Sequence, residues 1–231
     1  MEKTELRTYG RHSLAVLSKE ERLRISAEIL QKSSPDILSA LKELFAFEGA
    51  GGTGMPGIVR RSETVRPGMV PLGFVPLRRH QGQRLRISTF AEEAEIREYI
   101  TPVRLLHSDF EERTRVLRAA KEIAAWNEGK DLGVLGSAGL EIFTGLPYTN
   151  DDSDLDLLAG ARPVGELKEL YGRLTALGRR YGFAVDLEVA LPDGFGVKAA
   201  ELFMNTKTLL GKSMREVSLL DRGKVEAMLN R

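Results

Sequence analysis

Residues 135–159 read LGSAGLEIFTGLPYTNDDSDLDLLA, and this stretch decides the fold. A short β-prone run, Leu132 to Leu135, leads into Gly136-Ser137, where a strand ends and a helix begins. After Thr149-Asn150 the chain alternates, and Leu155 and Leu157 face a core while Asp154 and Asp156 share the opposite face, because side chains two apart in a strand point the same way. Two carboxylates side by side repel, and a divalent cation with a taste for hard oxygen ligands, Mg²⁺ or Mn²⁺, is the usual remedy. The alternation returns in Val185-Asp186-Leu187-Glu188-Val189. Either Asp186 or Glu188 would supply a third carboxylate from a neighbouring strand and complete a two-metal site, and spacing does not separate them. The free N–H groups and dipole at a helix start such as Gly136-Ser137 suit a phosphate.

Other readings of the segment fail on the residues. Asp152, Asp154 and Asp156 mimic the start of an EF-hand loop, but Leu157 stands where glycine is required and Pro163 where the bidentate glutamate belongs. The G-x-G-x-x-G at Gly52, Gly54 and Gly57 is followed by strand-like Ile58-Val59 instead of a helix, which removes the dinucleotide reading.

Outward from this segment the chain reads as alternating α and β. A helix is expected from about Gly165 to Tyr181, a strand over Phe183 to Leu191, a helix around Lys198 to Met204, and β-prone runs at Thr206 to Leu210 and Glu216 to Leu219. Upstream, a helix opening at Ser108 with Glu111 as capping box is expected to stop at Gly129. The first fifty residues look helical, with a capping box at Ser18 and Glu21 and a second start at Ser34-Pro35. Short β-prone runs between Gly57 and Ile87 suggest a small antiparallel sheet carrying arginines, and Ala91 to Tyr99 reads as a helix. A boundary is placed near Thr101. The expected fold is α/β (α+β) in two domains: residues 1–100 with helices and the basic small sheet, and residues 101–231 with the carboxylate-bearing mixed sheet.

Composition bounds the rest. The 231 residues are 42% hydrophobic and 29% charged, an ordinary globular chain of one large domain or two small ones. There is no cysteine, which excludes disulfides and thiolate chemistry and suits a reducing cytoplasm. His12, His80 and His107 are scattered. Net charge is +1, so no global field recruits nucleic acid or an anionic membrane. Charge is nevertheless segregated: seven arginines (60, 61, 66, 78, 79, 84, 86) stand against Glu63 alone between Ile58 and Ser88, and four aspartates without a base lie between Asn150 and Leu157. Met1 to Arg11 is charged and no apolar run follows, so a cytoplasmic protein without a signal peptide or membrane span is expected.

Gly136-Ser137, Leu146-Pro147-Tyr148, Asp152-Ser153-Asp154-Leu155-Asp156 and Asp186, in that order, resemble the nucleotidyltransferase superfamily related to polymerase β. The string is more particularly similar to the phosphoribosyl-dephospho-CoA transferases of malonate decarboxylase, the holo-acyl-carrier-protein synthases of that system. The resemblance is closest over about twenty-five residues, looser from Ile58 to Lys207, and includes Leu191-Pro192-Asp193-Gly194. It implies a polymerase-β-like catalytic domain and transfer of a phosphoribosyl-dephospho-CoA group from triphosphoribosyl-dephospho-CoA to a serine of the decarboxylase's acyl-carrier subunit, with pyrophosphate released. It implies Asp154, Asp156 and Asp186 as metal ligands, with Asp186 or Glu188 as a base. Gly136 and Ser137 would hold the departing phosphates. Arg78, Arg79 and Arg84, with Lys198 and Lys207 as weaker candidates, would meet the donor's phosphates, for which arginine forks are suited; an acidic carrier could dock on the same arginines. Ala199-Ala200 stand where the family pattern calls for a bulky aromatic and an arginine before Glu201. The alternatives are a metal-dependent nucleotidyltransferase acting on another hydroxyl, and a non-catalytic module that holds a carrier protein.

Overall fold

In a computed structural model the described residues are 10–127 and 131–230. They fall into two compact units, one running to Arg60 and resuming over Val65–Thr101, the other made of Arg61–Thr64 and the chain from Pro102 onward.

The N-terminal unit contains β1 (Leu14–Leu17), α1 (Lys19–Lys32), α2 (Leu38–Ala46), β2 (Gly57–Val59), β3 (Met69–Phe74), β4 (Ile87–Glu92) and β5 (Ile96–Ile100). Its sheet is antiparallel, in the order β4-β3-β2-β1-β5. The small sheet expected from the Gly57–Ile87 runs is there, extended by two strands. Leu14–Leu17 is a central strand with every residue buried, and such a run lacks the alternation that announces a strand. Ile96 and Ile100 are the buried residues of β5, a spacing that imitates a helix, but pairing with β1 places Ala91–Tyr99 in β4, a 3-10 turn and β5. Half of the expected capping box at α1 forms: Ser18 Oγ accepts from Glu21 N at 3.1 Å, while Glu21 turns to Arg24, 2.6 Å away, and to Glu92 N at 2.8 Å. The Ser34-Pro35 start is a turn, and α2 begins at Leu38.

The C-terminal unit contains α3 (Pro102–Leu106), α4 (Arg115–Trp126), β6 (Leu132–Val134), α5 (Gly136–Thr144), β7 (Leu155–Ala159), α6 (Val164–Tyr181), β8 (Val185–Ala190), β9 (Gly196–Lys198), α7 (Ala199–Leu202), β10 (Thr208–Lys212), β11 (Val217–Asp221) and α8 (Arg222–Leu229). The sheet order is β11-β10-β9-β8-β7-β6, parallel between β7 and β8 and antiparallel elsewhere. This is the mixed sheet expected of an α+β fold. Leu155, Leu157, Leu187 and Val189 sit in the core at 1% exposure or less. Crossover helix α6 buries Leu167, Leu170, Leu174 and Leu177 at helical spacing. Gly182 closes it in the left-handed conformation that favours glycine. The helix expected from Ser108 begins instead at Arg115, capped by Thr114; its expected stop at Gly129 lies outside the described residues. No helix among the described residues is long and apolar enough to cross a membrane.

Candidate active site

At one end of the C-terminal sheet β6 finishes beside the start of β7, which lies in register with the start of β8. β6 ends at Val134, and Leu135 N donates to Asp156 O at 2.9 Å, so the Gly136 turn is fastened to the beginning of β7. Gly136 adopts φ +60°, and a Cβ there would fall on Asp156 Oδ2. The backbone favours glycine, because the left-handed conformation is strained for other residues, and a side chain there would also have to displace the carboxylate. Helix α5 opens from this turn without a side-chain cap, with Gly136 exposed and Ser137 half-buried.

Across the parallel β7·β8 pair, Asp156 is in register with Asp186, whereas Glu188 is opposite Leu158. Two residues farther along the strand amount to about 7 Å, so Asp186 is the nearer carboxylate and Glu188 stands one pleat away on the same face. Asp154 precedes β7, is exposed, and accepts from Ala184 N at 3.3 Å. β9 returns beside β8 with Lys198 opposite Glu188. The Lys198 ammonium reaches diagonally to Asp186, Nζ to Oδ2 2.6 Å. That hydrogen bond holds Lys198 above the ordinary lysine value against the opposing effect of burial, and the charges of Asp156 and Glu201 add to it. Among the described residues, no three His, Cys, Asp or Glu side chains gather into a ready-made metal cage. What the site does present is a pair of half-buried carboxylates, in register, with a cation already drawn to them. Hard oxygen donors of this kind suit Mg²⁺ or Mn²⁺.

Beneath the segment that delivers Asp154 lies a polar network the sequence reading did not single out. Glu141, on α5 and 6% exposed, accepts from Arg113 at 2.7 and 3.0 Å, from Thr149 N at 2.6 Å and from the Thr149 hydroxyl at 2.7 Å. Thr114 and Thr149 hydroxyls meet at 2.8 Å. Burial pushes Glu141 up, but the bonds from Arg113 and Thr149 outweigh it and hold the carboxyl below its ordinary range. The network ties the start of α4, the middle of α5 and the loop before β7 together. A signal was present: Glu141 is the one charge in the apolar run from Gly136 to Thr144.

Arg78, Arg79 and Arg84 lie on the loop between β3 and β4, not on the strands that were expected to carry them. Several of the seven arginines are engaged locally: Arg78 pairs with Glu43 at 3.0 Å, Arg61 with Glu63 at 2.9 Å, and Arg66 stacks over Phe90 at 4.3 Å. Arg79 donates to Gly82 O at 3.3 Å.

A Gly-Ser turn seated against a carboxylate-bearing strand, in a mixed sheet whose one parallel pair is β7·β8, is the arrangement expected of a transferase from the sequence resemblance. Two family models cover the chain, the phosphoribosyl-dephospho-CoA transferase MdcG N-terminal domain over residues 10–102 and its C-terminal domain over residues 105–223. The chain belongs to the phosphoribosyl-dephospho-CoA transferase family. A relative of that name from Xanthomonas euvesicatoria pv. vesicatoria is 28% identical over 216 residues, 92% of this chain and 94% of the relative. Another from Xanthomonas campestris pv. campestris is 32% identical over 178 residues, 73% of this chain and 80% of the relative. One from Bradyrhizobium diazoefficiens is 33% identical over 92 residues, 40% of this chain and 41% of the relative. No solved structure matches.

Proposed function

We propose that the protein transfers the 2′-(5″-phosphoribosyl)-3′-dephospho-CoA group from its triphosphate precursor to a serine hydroxyl of the malonate decarboxylase acyl-carrier subunit, in the cytoplasm. The observation that carries this reading is the seating of Asp156 between the Gly136 turn and Asp186. The serine oxygen forms a bond to the donor's α-phosphorus, the bond from that phosphorus to the bridging oxygen breaks, pyrophosphate departs, and the hydroxyl proton is lost to a base.

In this scheme the chain's residues divide the work. Asp154, Asp156 and Asp186 would hold Mg²⁺ or Mn²⁺, which when bound supplies positive charge to the phosphates and lowers the pKa of the attacking hydroxyl. Asp186 or, one pleat away, Glu188 would receive the proton. The backbone N–H groups at the start of α5, from Gly136 and Ser137, would hold the departing phosphates. Lys198 is a flexible ammonium within reach of the same face. On the N-terminal unit, the loop arginines 78, 79 and 84 offer phosphate or carrier contacts, a reading that rests on charge.

The test is mass spectrometry of purified acyl-carrier subunit after incubation with this protein, Mg²⁺ and triphosphoribosyl-dephospho-CoA. A serine-linked gain of one phosphoribosyl-dephospho-CoA unit, absent with Asp156→Ala, is expected. No gain on a carrier proven competent would refute the assigned acceptor, and a gain undiminished in the variant would refute the assigned site.

A further inference from the structure

Two carboxylates side by side in adjacent parallel strands repel each other, and a cation placed beside them relieves that repulsion. Asp156 and Asp186 are in register, and the fold brings a cation to them in Lys198, 2.6 Å from Asp186 Oδ2 and within the field of Asp156. This contact is built by the backbone: the β8–β9 hairpin sets Lys198 opposite Glu188, one residue before α7 begins. Neither partner is locked in. The side chains are 46% and 42% exposed, so the ammonium can exchange Asp186 for water on its four-carbon stem without leaving an unsatisfied buried charge.

We propose that Lys198 is the resident counter-cation of the Asp156–Asp186 pair, occupying the seat of the divalent ion and yielding Asp186 when that ion binds. The inference rests on the reading of these carboxylates as the cation site and adds to it a competition: Lys198 raises the metal concentration needed to load the empty enzyme. Once displaced, the same ammonium is available to the incoming phosphates, so metal loading and the freeing of a phosphate contact become one event. The arrangement keeps the strand pair from repelling itself in the metal-free protein and disfavours loading by metal alone.

Mn²⁺ binding to the full chain without donor, followed by the loss of the free-ion electron paramagnetic resonance signal, tests this. Lys198→Met is expected to bind Mn²⁺ on the order of tenfold more tightly than the wild type, the effect of removing one unit charge beside a half-exposed divalent site. Lys198→Arg, which keeps the charge, should bind far more nearly as the wild type does. Asp156→Asn should weaken binding in both backgrounds. Equal or weaker binding by Lys198→Met, with Asp156→Asn still weakening it, overturns the role of Lys198 and leaves the carboxylate site standing. Mn²⁺ binding indifferent to both Asp156→Asn and Asp186→Asn overturns the cation site and the proposal with it. Circular dichroism melts of each variant separate a lost fold from a lost site.

Discussion

Replacing Arg113 by methionine strips a buried carboxylate of its charge partner and also removes the hydrogen bond from Arg113 to Thr149 O. Glu141 is 6% exposed and would retain the Thr149 amide and hydroxyl as donors. Breaking a fully buried pair costs about 3–5 kcal/mol. Arg113 is 42% exposed, so water already screens part of its interaction, and a loss of about 2 kcal/mol at pH 7 is expected. The pH dependence carries the diagnosis. In the wild type Glu141 lies below its ordinary value of 4.5, so it contributes stability above that value and loses it as pH falls through the depressed folded one. Without Arg113 the raising effect of burial is less opposed, and the folded state takes up a proton more readily. The gap between wild type and variant should therefore narrow from pH 7 toward pH ~4.5. Urea unfolding at the two pH values measures it, with Glu141→Gln and the double variant completing a cycle. A gap that is independent of pH, or smaller than about 0.5 kcal/mol at pH 7, would show that Arg113 does not compensate a buried charge.

Gly136→Ala should cost about 1–2 kcal/mol from the left-handed backbone alone, and more from the collision with Asp156 Oδ2; in an Asp156→Ala background the second part should vanish, and an equal cost in both backgrounds would show that the carboxylate is not the obstacle. Ser18→Ala removes the acceptor of Glu21 N and the donor to Glu95, so the N-terminal unit should lose about 1 kcal/mol or more; hydrogen exchange should locate the loosening at the start of α1, and unchanged protection there would refute the cap.

The fold was legible where local chemistry and tertiary demand agree. Leu155 and Leu157 alternate with Asp154 and Asp156, and the leucines are fully buried as the pattern requires. The α6 leucines recur at helical spacing up to Gly182. Elsewhere tertiary contacts overrode the local signal. Ser108 and Glu111 form a plausible helix start, yet the chain delays α4 until Arg115, where Thr114 caps it and neighbouring Arg113 is drawn to Glu141 and Thr149. Ala91–Tyr99 has helix-forming composition, but the unit needs β5 to cover the free edge of β1, and pairing decides. The arginines were assigned to strands because Pro and Gly interruptions were read as strand ends within a sheet; the segment from Val75 to Arg86 is instead one long connection.

At the candidate site, Asp154 and Asp156 stood out from their spacing, but which of Asp186 and Glu188 lies beside Asp156 follows from the register of a parallel pair formed across the whole of α6, which no local pattern encodes. The Lys198 contact differs, because its register is set by a hairpin. Leu191-Pro192-Asp193-Gly194-Phe195 closes on itself, with Leu191 N donating to Phe195 O at 2.7 Å and Gly194 N to Leu191 O at 3.0 Å. Loop length fixes hairpin register, and counting outward from this turn pairs Ala190 with Gly196, Val189 with Val197 and Glu188 with Lys198. A lysine opposite Glu188 is then one pleat from Asp186 and within the span of its own side chain. The turn motif and the carboxylate strand, taken as one unit, therefore already specify which basic residue pairs with Asp186, and a shift of one residue in that loop would turn Lys198 to the other face of the sheet and leave Asp186 without its ammonium.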